Sequence, residues 1–350
     1  MKRSREICIV RGGMTRRVFA RMAGLSLTGA ALAHAQGPGR QEQGPALALA
    51  RNADRAAALR TAIKLLGPMD FGGHDLYLKA NFNSPDPFPA TTHPDTLRLV
   101  TELLRERNCG NLTLIERSGM GDTREIWERL GVVPLARQLD LRLLPLEDLP
   151  ADDWRKVKLE GMTWEAGVEV PRFLDREAYL IQICNLKTHR FGGVFSASLK
   201  NSVGLVAKYG QLNAGYNYMK ELHSSPKQGS LIAELNLIYE PKLIVMDAMQ
   251  VFVSGGPETG ELASPETCFA GADRVAMDAA GIALLRLNLT LPGQFLGQRT
   301  IFEHEQLRRA LEIGLGAENP QAIRFLTSDL ISNRLASQIE AILSEVPKAK

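Results

Sequence analysis

The sequence contains few cysteines, and their spacing argues against several kinds of site. Three of the four cysteines follow residue 35, at Cys109, Cys184 and Cys268. No two of them form a C-x-x-C motif, and three cysteines cannot build a disulfide framework, although a single disulfide could form in an oxidising compartment. We therefore expect neither a small disulfide-stabilised fold nor a metal site built on paired cysteines.

The sequence also lacks the glycine-rich loops that bind nucleotide phosphates. It contains no Walker loop, no G-x-G-x-x-G motif after a predicted strand and no internal repeat. Its 350 residues are 45% hydrophobic and 23% charged, which is typical of a soluble globular protein. A chain of this length can form one large α/β domain or two smaller ones, with an ample core.

Positive charge is concentrated at the N-terminus. Residues 1–35 contain seven Lys or Arg residues and one Glu, a formal charge of +6. Because the whole chain carries +3, the remainder carries −3. The mildly acidic body argues against nucleic acid or an anionic membrane surface as a partner.

The N-terminal segment has the three-part pattern of an export signal. Arg16 and Arg17 form a twin-arginine motif, an apolar run follows at 22–32, and Ala33-His34-Ala35 is a small-x-small cleavage site. The apolar run is too short to span a membrane. We expect residues 1–35 to be a twin-arginine signal peptide that is read by the export machinery. The mature chain would then be periplasmic or secreted, with no stable membrane span; the alternative is a basic helix in a cytoplasmic protein.

The rest of the chain predicts a linker followed by one domain. Residues 36–50 begin with a Gly/Gln/Pro-rich stretch and are predicted to be a disordered linker. Residues 51–350 are predicted to form a single large α/β domain. Apolar runs of strand length at 75–80, 111–116, 179–183 and 242–246 alternate with helical periodicity at 54–66, 95–108 and 273–287. This alternation predicts a mostly parallel sheet covered by helices, with an irregular central excursion over 148–170 and a long polar loop over 208–229.

Polar side chains are concentrated just after the predicted strand at 179–183. Asn185, Lys187 and His189 follow it in turn, then Gly192-Gly193, and Lys200 and Asn201 come about three helical turns later. Ligands of open α/β sheets bind at the carboxyl ends of the strands. The two glycines would allow a sharp turn or a close approach of the backbone to a ligand. The sequence therefore places the functional site here.

Three residues of this stretch are candidate catalytic groups. Lys187 and Lys200 could bind an anion or attack a carbonyl, because a lysine that loses its hydration gives up its proton more readily. The alternative for both is an ordinary surface lysine. His189 could transfer a proton or bind a metal, and its alternative is a hydrogen-bonded structural histidine.

The candidate ligand-binding residues come from several predicted strands and loops. They are Lys79, Asn81, Asn185, Gly192, Gly193, Asn201, His223 and Asp247. Asn185 and Asn201 would orient the ligand, whereas the alternative for such residues is to tie down a loop. Asp278, inside a predicted helix, is interpreted as a buried hydrogen-bonded acid near Arg274.

Several segments of the chain form a recognisable set in this order: Leu78–Asn81 with Thr92–Pro94, Asn185–His189, Leu199–Asn201 with Gly204, Val245–Ala248 with Gly256-Pro257, and Ala272–Asp278. Together they resemble the domain-of-unknown-function family 362 of bacteria and archaea. The resemblance implies an α/β fold but no established activity. Some relatives carry cysteine motifs for iron–sulfur clusters, which this sequence lacks, so that cofactor is not carried over.

A fainter similarity links the chain to the nickel-pincer lactate racemase family. That family has a His, two glycines, a Lys and a further His in the order found here for His189, Gly192, Gly193, Lys200 and His223. The spacing differs, and another His of that family has no clear counterpart in this sequence. The similarity bears on the architecture and only weakly on the chemistry.

Three hypotheses about function follow. The first is an exported enzyme that acts on a small anionic substrate, or on one held by an anionic cofactor, with Lys187 and Lys200 supplying positive charge and His189 transferring a proton. The second is a periplasmic binding or carrier protein that uses the same cleft without chemistry. The third is a metal or nickel-pincer cofactor protein with His189 and His223 as ligands. The sequence identifies neither the substrate nor a cofactor.

Overall fold

The structure is a computed structural model, and it describes residues 44–158, 160–190, 194–289, 295–317, 319 and 321–346. The predicted signal peptide, residues 36–43 of the predicted linker, and Gly192-Gly193 lie outside the described residues. Within those ranges, no helix is both long enough and apolar enough to cross a membrane.

A mostly parallel sheet forms the centre of the molecule. The described strands are β1 (Ala46–Arg51), β2 (Leu76–Lys79), β3 (Leu112–Glu116), β4 (Arg142–Pro145), β5 (Trp154–Val157), β6 (Val168–Pro171), β7 (Leu180–His189), β8 (Val194–Ser196), β9 (Pro241–Gly255), β10 (Gly260–Ala263), β11 (Thr267–Gly271) and β12 (Arg324–Leu326). The main sheet has the order β12-β1-β11-β9-β7-β2-β3-β4, with β10 on β9 and β8 on β7. Strands β9, β7, β2, β3 and β4 run parallel, whereas β11 is antiparallel to both of its neighbours. The predicted α/β fold is thus confirmed, and the central excursion contains the separate antiparallel pair β5–β6.

Helices cover both faces of this sheet. The described α-helices are α1 (Arg55–Leu65), α2 (Pro94–Arg105), α3 (Thr123–Arg129), α4 (Val132–Gln138), α5 (Ser198–Asn201), α6 (Tyr218–Ser224), α7 (Gln228–Leu235), α8 (Arg274–Leu287), α9 (Glu305–Glu312) and α10 (Leu330–Leu343). Aspartates cap four of them, since Asp54, Asp122, Asp273 and Asp329 accept hydrogen bonds from backbone N–H groups in the first turns of α1, α3, α8 and α10.

The sheet separates two hydrophobic cores because successive side chains of a strand point to opposite faces. In β7, Cys184 and Leu186 pack in the core that also contains α8. Ile181 and Ile183 pack in the other core, with α1 and α2. The central strands are therefore buried on both faces, which explains their nearly continuous apolar sequence.

The predicted linker over residues 36–50 overlaps a buried strand and needs correction. Residues 46–50 belong to β1, which pairs antiparallel with β11 and parallel with β12. Leu47 and Leu49 pack in one core and Ala48 and Ala50 in the other. The alternating Ala-Leu sequence thus fills both sides of the sheet.

Two other predicted segments are more regular than the sequence indicated. Strand β7 continues to His189 rather than ending at residue 183, because β8 and β9 both pair with its last residues. The predicted loop over 208–229 contains α6 and the beginning of α7. Helix α6 begins where the side chain of Asn217 accepts a hydrogen bond from the backbone N–H of Lys220.

Candidate functional site

A cavity of about 410 Å³ lies where the carboxyl ends of β2, β3 and β7 meet. This volume lies within the usual range of small-molecule sites. The lining residues that carry charge or an imidazole are Lys79, Glu116, Arg117, Lys187, His189, Lys200 and His223. Among the described lining residues, Glu116 is the sole carboxylate. The cavity wall therefore has an excess of positive and basic groups.

Lys187 is a buried lysine that contacts no carboxylate among the residues that the structure describes. Its side chain is 3% exposed, and its Nζ donates hydrogen bonds to the carbonyl oxygens of Pro89, at 3.3 Å, and Ala90. Burial lowers the pKa of Lys187 to about 7, although the more distant carboxylates of Asp86 and Glu258 partly oppose the shift. Near neutral pH this lysine can therefore exist both as a cation and as a neutral amine.

Lys200 and His189 meet at the wall of the same cavity. Strand β8 returns beside the end of β7, and α5 follows it directly, so Lys200 Nζ comes into contact with His189 Nε2. Burial lowers the pKa of Lys200 well below its usual value, and the positive charge of Lys187 lowers it further. This arrangement favours a neutral amine beside an imidazole nitrogen that can accept or donate a proton.

Lys79 has a different environment, although it also lines the cavity. It is 2% exposed, and its Nζ lies 2.8 Å from Glu116 Oε2 and 3.1 Å from Asn201 Oδ1. Asn201 in turn donates from Nδ2 to the backbone oxygen of Lys79, at 3.0 Å. Burial lowers the pKa of Lys79, and the neighbouring Glu116 opposes that shift. The predicted ligand-binding pair Lys79 and Asn201 is thus engaged in holding one side of the cavity together.

Gly204 lets the backbone approach this ion pair closely. A Cβ atom at residue 204 would lie 2.2 Å from Glu116 Oε1 and 2.7 Å from Lys79 Cε. Glu116 cannot easily move away, because Oε1 accepts from the backbone N–H of Arg117 and Oε2 from that of Phe82, both at 2.9 Å. Glycine is required here for space.

The predicted ligand-binding residues Asn81 and Asn185 fix the loop between β2 and α2. Asn185 Nδ2 donates to Thr91 O at 3.0 Å, and its Oδ1 accepts from the Thr92 hydroxyl at 3.2 Å. Asn81 donates from Nδ2 to Ala90 O at 3.1 Å. Both asparagines line the cavity, but their amides shape the loop whose carbonyl groups also hold Lys187.

Asp278 positions the helix that carries Lys200. Its carboxylate accepts from the backbone N–H of Ser198 at 2.7 Å and of Leu199 at 3.3 Å, at the beginning of α5, and from Gln306 Nε2 at 3.1 Å. Burial raises the pKa of Asp278 to about 7, against the opposite effect of these hydrogen bonds. The sequence-based interpretation of Asp278 as a buried, hydrogen-bonded acid agrees with this geometry.

Two further predicted ligand-binding residues, His223 and Asp247, lie in different places. His223 lines the cavity from α6, and its Nδ1 is 2.6 Å from Met219 O, which leaves Nε2 as the nitrogen with a lone pair in the neutral ring. Asp247 is not among the cavity-lining residues. Its carboxylate accepts from Arg55 Nε at 3.1 Å and from the hydroxyl of Thr96, on the face covered by α1 and α2. The structure therefore groups His223, but not Asp247, with the lysines.

The segment 208–217 is held beside the cavity by one buried carboxylate. Glu169 accepts from the backbone N–H groups of Gln211, Leu212 and Asn213, at 2.6–3.0 Å, and from the Tyr218 hydroxyl at 3.0 Å. Lys208 Nζ donates to Gly119 O at 3.1 Å, and Gly119 itself lines the cavity. Glu169 thus ties this segment, which directly precedes α6, to the central excursion.

Sequence reasoning missed Glu116 and Arg117 as residues of this wall. Arg117 is buried and donates to the backbone oxygens of Val206 and Val203. Glu116 ends β3 just as Lys79 ends the adjacent β2, so the rule that selected Lys79 would have found it as well.

The three cysteines of the described chain, Cys109, Cys184 and Cys268, are free thiols. Burial raises the pKa of Cys184 well above its usual value, which keeps the thiol protonated near neutral pH.

The metal hypothesis requires a group of side chains that can bind a metal ion. In the part of the chain that the structure describes, no group of three or more His, Cys, Asp or Glu side chains is placed to hold a metal ion. His189 and His223 both line the cavity, and the proposal that they bind a metal or a pincer cofactor stays a prediction. Two larger depressions, of about 800 and 630 Å³, lie elsewhere and contain neither Lys187 nor Lys200.

A protein-family model matches more than half of the chain. The family model described as a domain of unknown function, DUF362, matches residues 76–283. The chain belongs to the DUF362 family. The matched region extends from β2 into α8 and contains every described residue that lines the 410 Å³ cavity.

Other comparisons add little for this DUF362 chain. No curated protein matches it. A crystal structure of a Thermotoga maritima protein, determined by a structural genomics consortium, is similar over 56% of this chain, with 14% identity and a TM-score of 0.35. The chain spans about half of that protein, 50% of its length. A similarity of this size supports no conclusion about function.

Proposed function

We propose that the chain is an enzyme that acts on a small anionic substrate in the 410 Å³ cavity. The observation that carries this proposal is the contact of Lys200 Nζ with His189 Nε2 at the cavity wall, close to Lys187. Lys187, when protonated, binds the negative group of the substrate, and the His189–Lys200 pair transfers a proton. Lys79, Asn81, Asn185 and Asn201 keep the walls in place.

The electrostatics of the wall support an anionic ligand. The carboxylate of Glu116 already accepts from Lys79 Nζ and from two backbone N–H groups. Lys187 and Lys200 have no such carboxylate in contact among the described residues. An anion bound beside Lys187 would stabilise the protonated form of that lysine, and so it would raise its pKa.

Oxalate is a suitable probe of anion binding because it is small and carries two negative charges. We expect calorimetry to show binding by the purified chain and a loss of affinity of roughly 10- to 100-fold in Lys187→Met. Affinity should also fall as the pH rises above about 7, where free Lys187 loses its proton. Lys64→Met, on the exposed surface of α1, is the matched control. Equal affinity in the two variants, or no binding at all, contradicts the proposal.

A carrier without chemistry is the second candidate, and one observation favours it. Two backbone carbonyl groups hold Lys187 Nζ, an arrangement suited to binding an anion without any reaction. A set of small carboxylic acids incubated with the protein in heavy water separates the two. The enzyme is expected to incorporate deuterium into one of them, and His189→Ala is expected not to. Acids recovered without label from a protein that binds oxalate favour the carrier.

Export by the twin-arginine machinery to the periplasm belongs to the same proposal. Arg16-Arg17 and the Ala33-His34-Ala35 cleavage pattern support it. The measurement is the intact mass of the protein recovered from the periplasm of a host with this machinery. A mature chain that begins at Gln36 is expected, and Arg16→Lys together with Arg17→Lys should keep the full-length chain in the cytoplasm. Unchanged export of that variant contradicts the assignment.

A further inference from the structure

Among the three lysines that line the cavity, Lys187 and Lys200 have different surroundings, and this difference suggests a chemistry. Lys187 Nζ donates to the carbonyl oxygens of Pro89 and Ala90, which is the geometry of a hydrogen-bond donor. Lys200 Nζ instead contacts a ring nitrogen of His189. A carbonyl oxygen cannot take up a lysine proton at neutral pH, whereas an imidazole can.

We infer that Lys200 is a nucleophile that forms an imine with a small oxo acid bound in this cavity. The inference rests on the proposed function and narrows its substrate class. The carboxylate of such a substrate would lie against Lys187, and its carbonyl carbon would face Lys200. A cavity of about 410 Å³ has room for a molecule of this size.

The proposed step requires no partner beyond the substrate. The lone pair of the neutral Lys200 amine attacks the carbonyl carbon, and the C–O π electrons move to oxygen. One proton of the attacking nitrogen passes through His189 Nε2 to this oxygen and gives a neutral carbinolamine. The second proton of the nitrogen passes through the same imidazole to the departing hydroxyl group. The C–O bond breaks, the C=N bond forms, and one water leaves. No electrons are gained or lost by the protein.

The fixed surroundings of Lys200 favour Lys200 rather than Lys187 as the nucleophile. Asp278 holds the first N–H groups of α5, so the helix that carries Lys200 has a defined position relative to His189. Burial, and after it the positive charge of Lys187, lowers the pKa of Lys200 well below its usual value and so favours the unprotonated amine. A neighbouring cation and loss of hydration are the two general means by which lysine nucleophiles are activated.

Reductive trapping tests the inference directly. The purified chain is incubated with pyruvate and sodium borohydride, which converts an imine into a stable secondary amine, and the intact mass and peptide masses are measured. We expect one reduced pyruvate adduct, located on Lys200. Lys200→Met and Lys200→Arg should both lose it. Lys200→Arg keeps a positive charge and serves as the test if Lys200→Met does not fold. Lys64→Met, with an exposed lysine removed, should keep the adduct.

The outcomes separate this inference from the proposed function. Oxalate cannot form this imine, so its binding reports on the anion site alone. Oxalate binding without a pyruvate adduct overturns the inference and leaves the proposed function standing. An adduct that persists in both Lys200 variants, or that is spread over exposed lysines, also overturns it. If the wild-type chain neither binds oxalate nor forms the adduct, the inference and the proposed function are both overturned.

Discussion

Lys79 and Lys200 line the same cavity, yet their surroundings differ completely. Lys79 Nζ lies against the carboxylate of Glu116 and the amide oxygen of Asn201, whereas Lys200 Nζ lies against an imidazole. Burial lowers the pKa of both lysines, but a carboxylate opposes the shift only at Lys79. Burial alone therefore does not distinguish the two lysines; the group that contacts the nitrogen does, and it is the basis for proposing a chemical role for Lys200 and a structural one for Lys79.

The largest expected effect comes from breaking the structural side of this comparison. Glu116→Ala leaves the Lys79 ammonium buried without a carboxylate, and we expect it to lower the free energy of unfolding by about 3–5 kcal/mol. Urea denaturation followed by circular dichroism measures it. Glu102→Ala removes one partner of an exposed ion pair with Arg60, at 3.7 Å, and should change stability by less than about 1 kcal/mol. Equal effects of the two changes would remove the distinction between the lysines.

The close packing around the same ion pair gives the next effect. Gly204→Ala places a methyl group within 2.2 Å of Glu116 Oε1, so either the ion pair or the backbone must move. We expect a loss of about 1–3 kcal/mol in the free energy of unfolding. Gly73→Ala is a useful contrast because open space surrounds that position, although its φ of +76° strains an alanine. A Gly204→Ala variant as stable as the wild type contradicts the tight contact.

Lys187 allows a prediction about pH. The folded chain releases the Lys187 proton near pH 7, whereas the unfolded chain holds it up to about 10.5. The unfolded state binds more protons in this window, so the wild type gains stability as the pH rises, by at most about 1.4 kcal/mol per pH unit. The stability advantage of Lys187→Met over the wild type should therefore shrink across this range. A difference that does not vary with pH, like that expected for Lys64→Met, contradicts the burial of this amine.

Asp278 should show the opposite slope with a smaller effect. Its folded pKa is raised from 3.8 to about 7, so the folded state holds a proton that the unfolded state releases. The stabilising contribution is complete below pH 3.8 and is lost as the pH rises through about 7. In Asp278→Asn this loss should disappear from the stability profile measured by urea denaturation at several pH values, and Asp140→Asn, at a fully exposed carboxylate, is the matched control.

The sequence predicts the parts of this site that depend on local pattern. The apolar run before Asn185 and the glycine-containing stretch after it indicated a strand end with polar groups, and the structure places Lys187, His189 and Lys200 around one cavity. The alternation of strands and helices predicted the parallel centre of the sheet for the same reason. Both conclusions need only the periodicity of neighbouring residues.

The remaining features depend on pairings between distant residues. Lys79 meets Glu116 only because β2 and β3 are adjacent, and β1 becomes a strand only because β11 and β12 lie beside it. Asp247 was expected in the cavity, but its carboxylate binds Arg55 and Thr96, which belong to α1 and α2. Asp247 is the register partner of Asn185, which does line the cavity, so the position at the end of an apolar run does not reveal which partners the side chain meets.

A single buried carboxylate holds the segment 208–217 in place. Three consecutive backbone N–H groups and a tyrosine hydroxyl all end at the single carboxylate of Glu169. Small independent movements within this segment would break several of these bonds at once. Displacing the segment would remove three backbone donors from the buried Glu169 carboxylate together, so its residues are expected to move as one rigid unit.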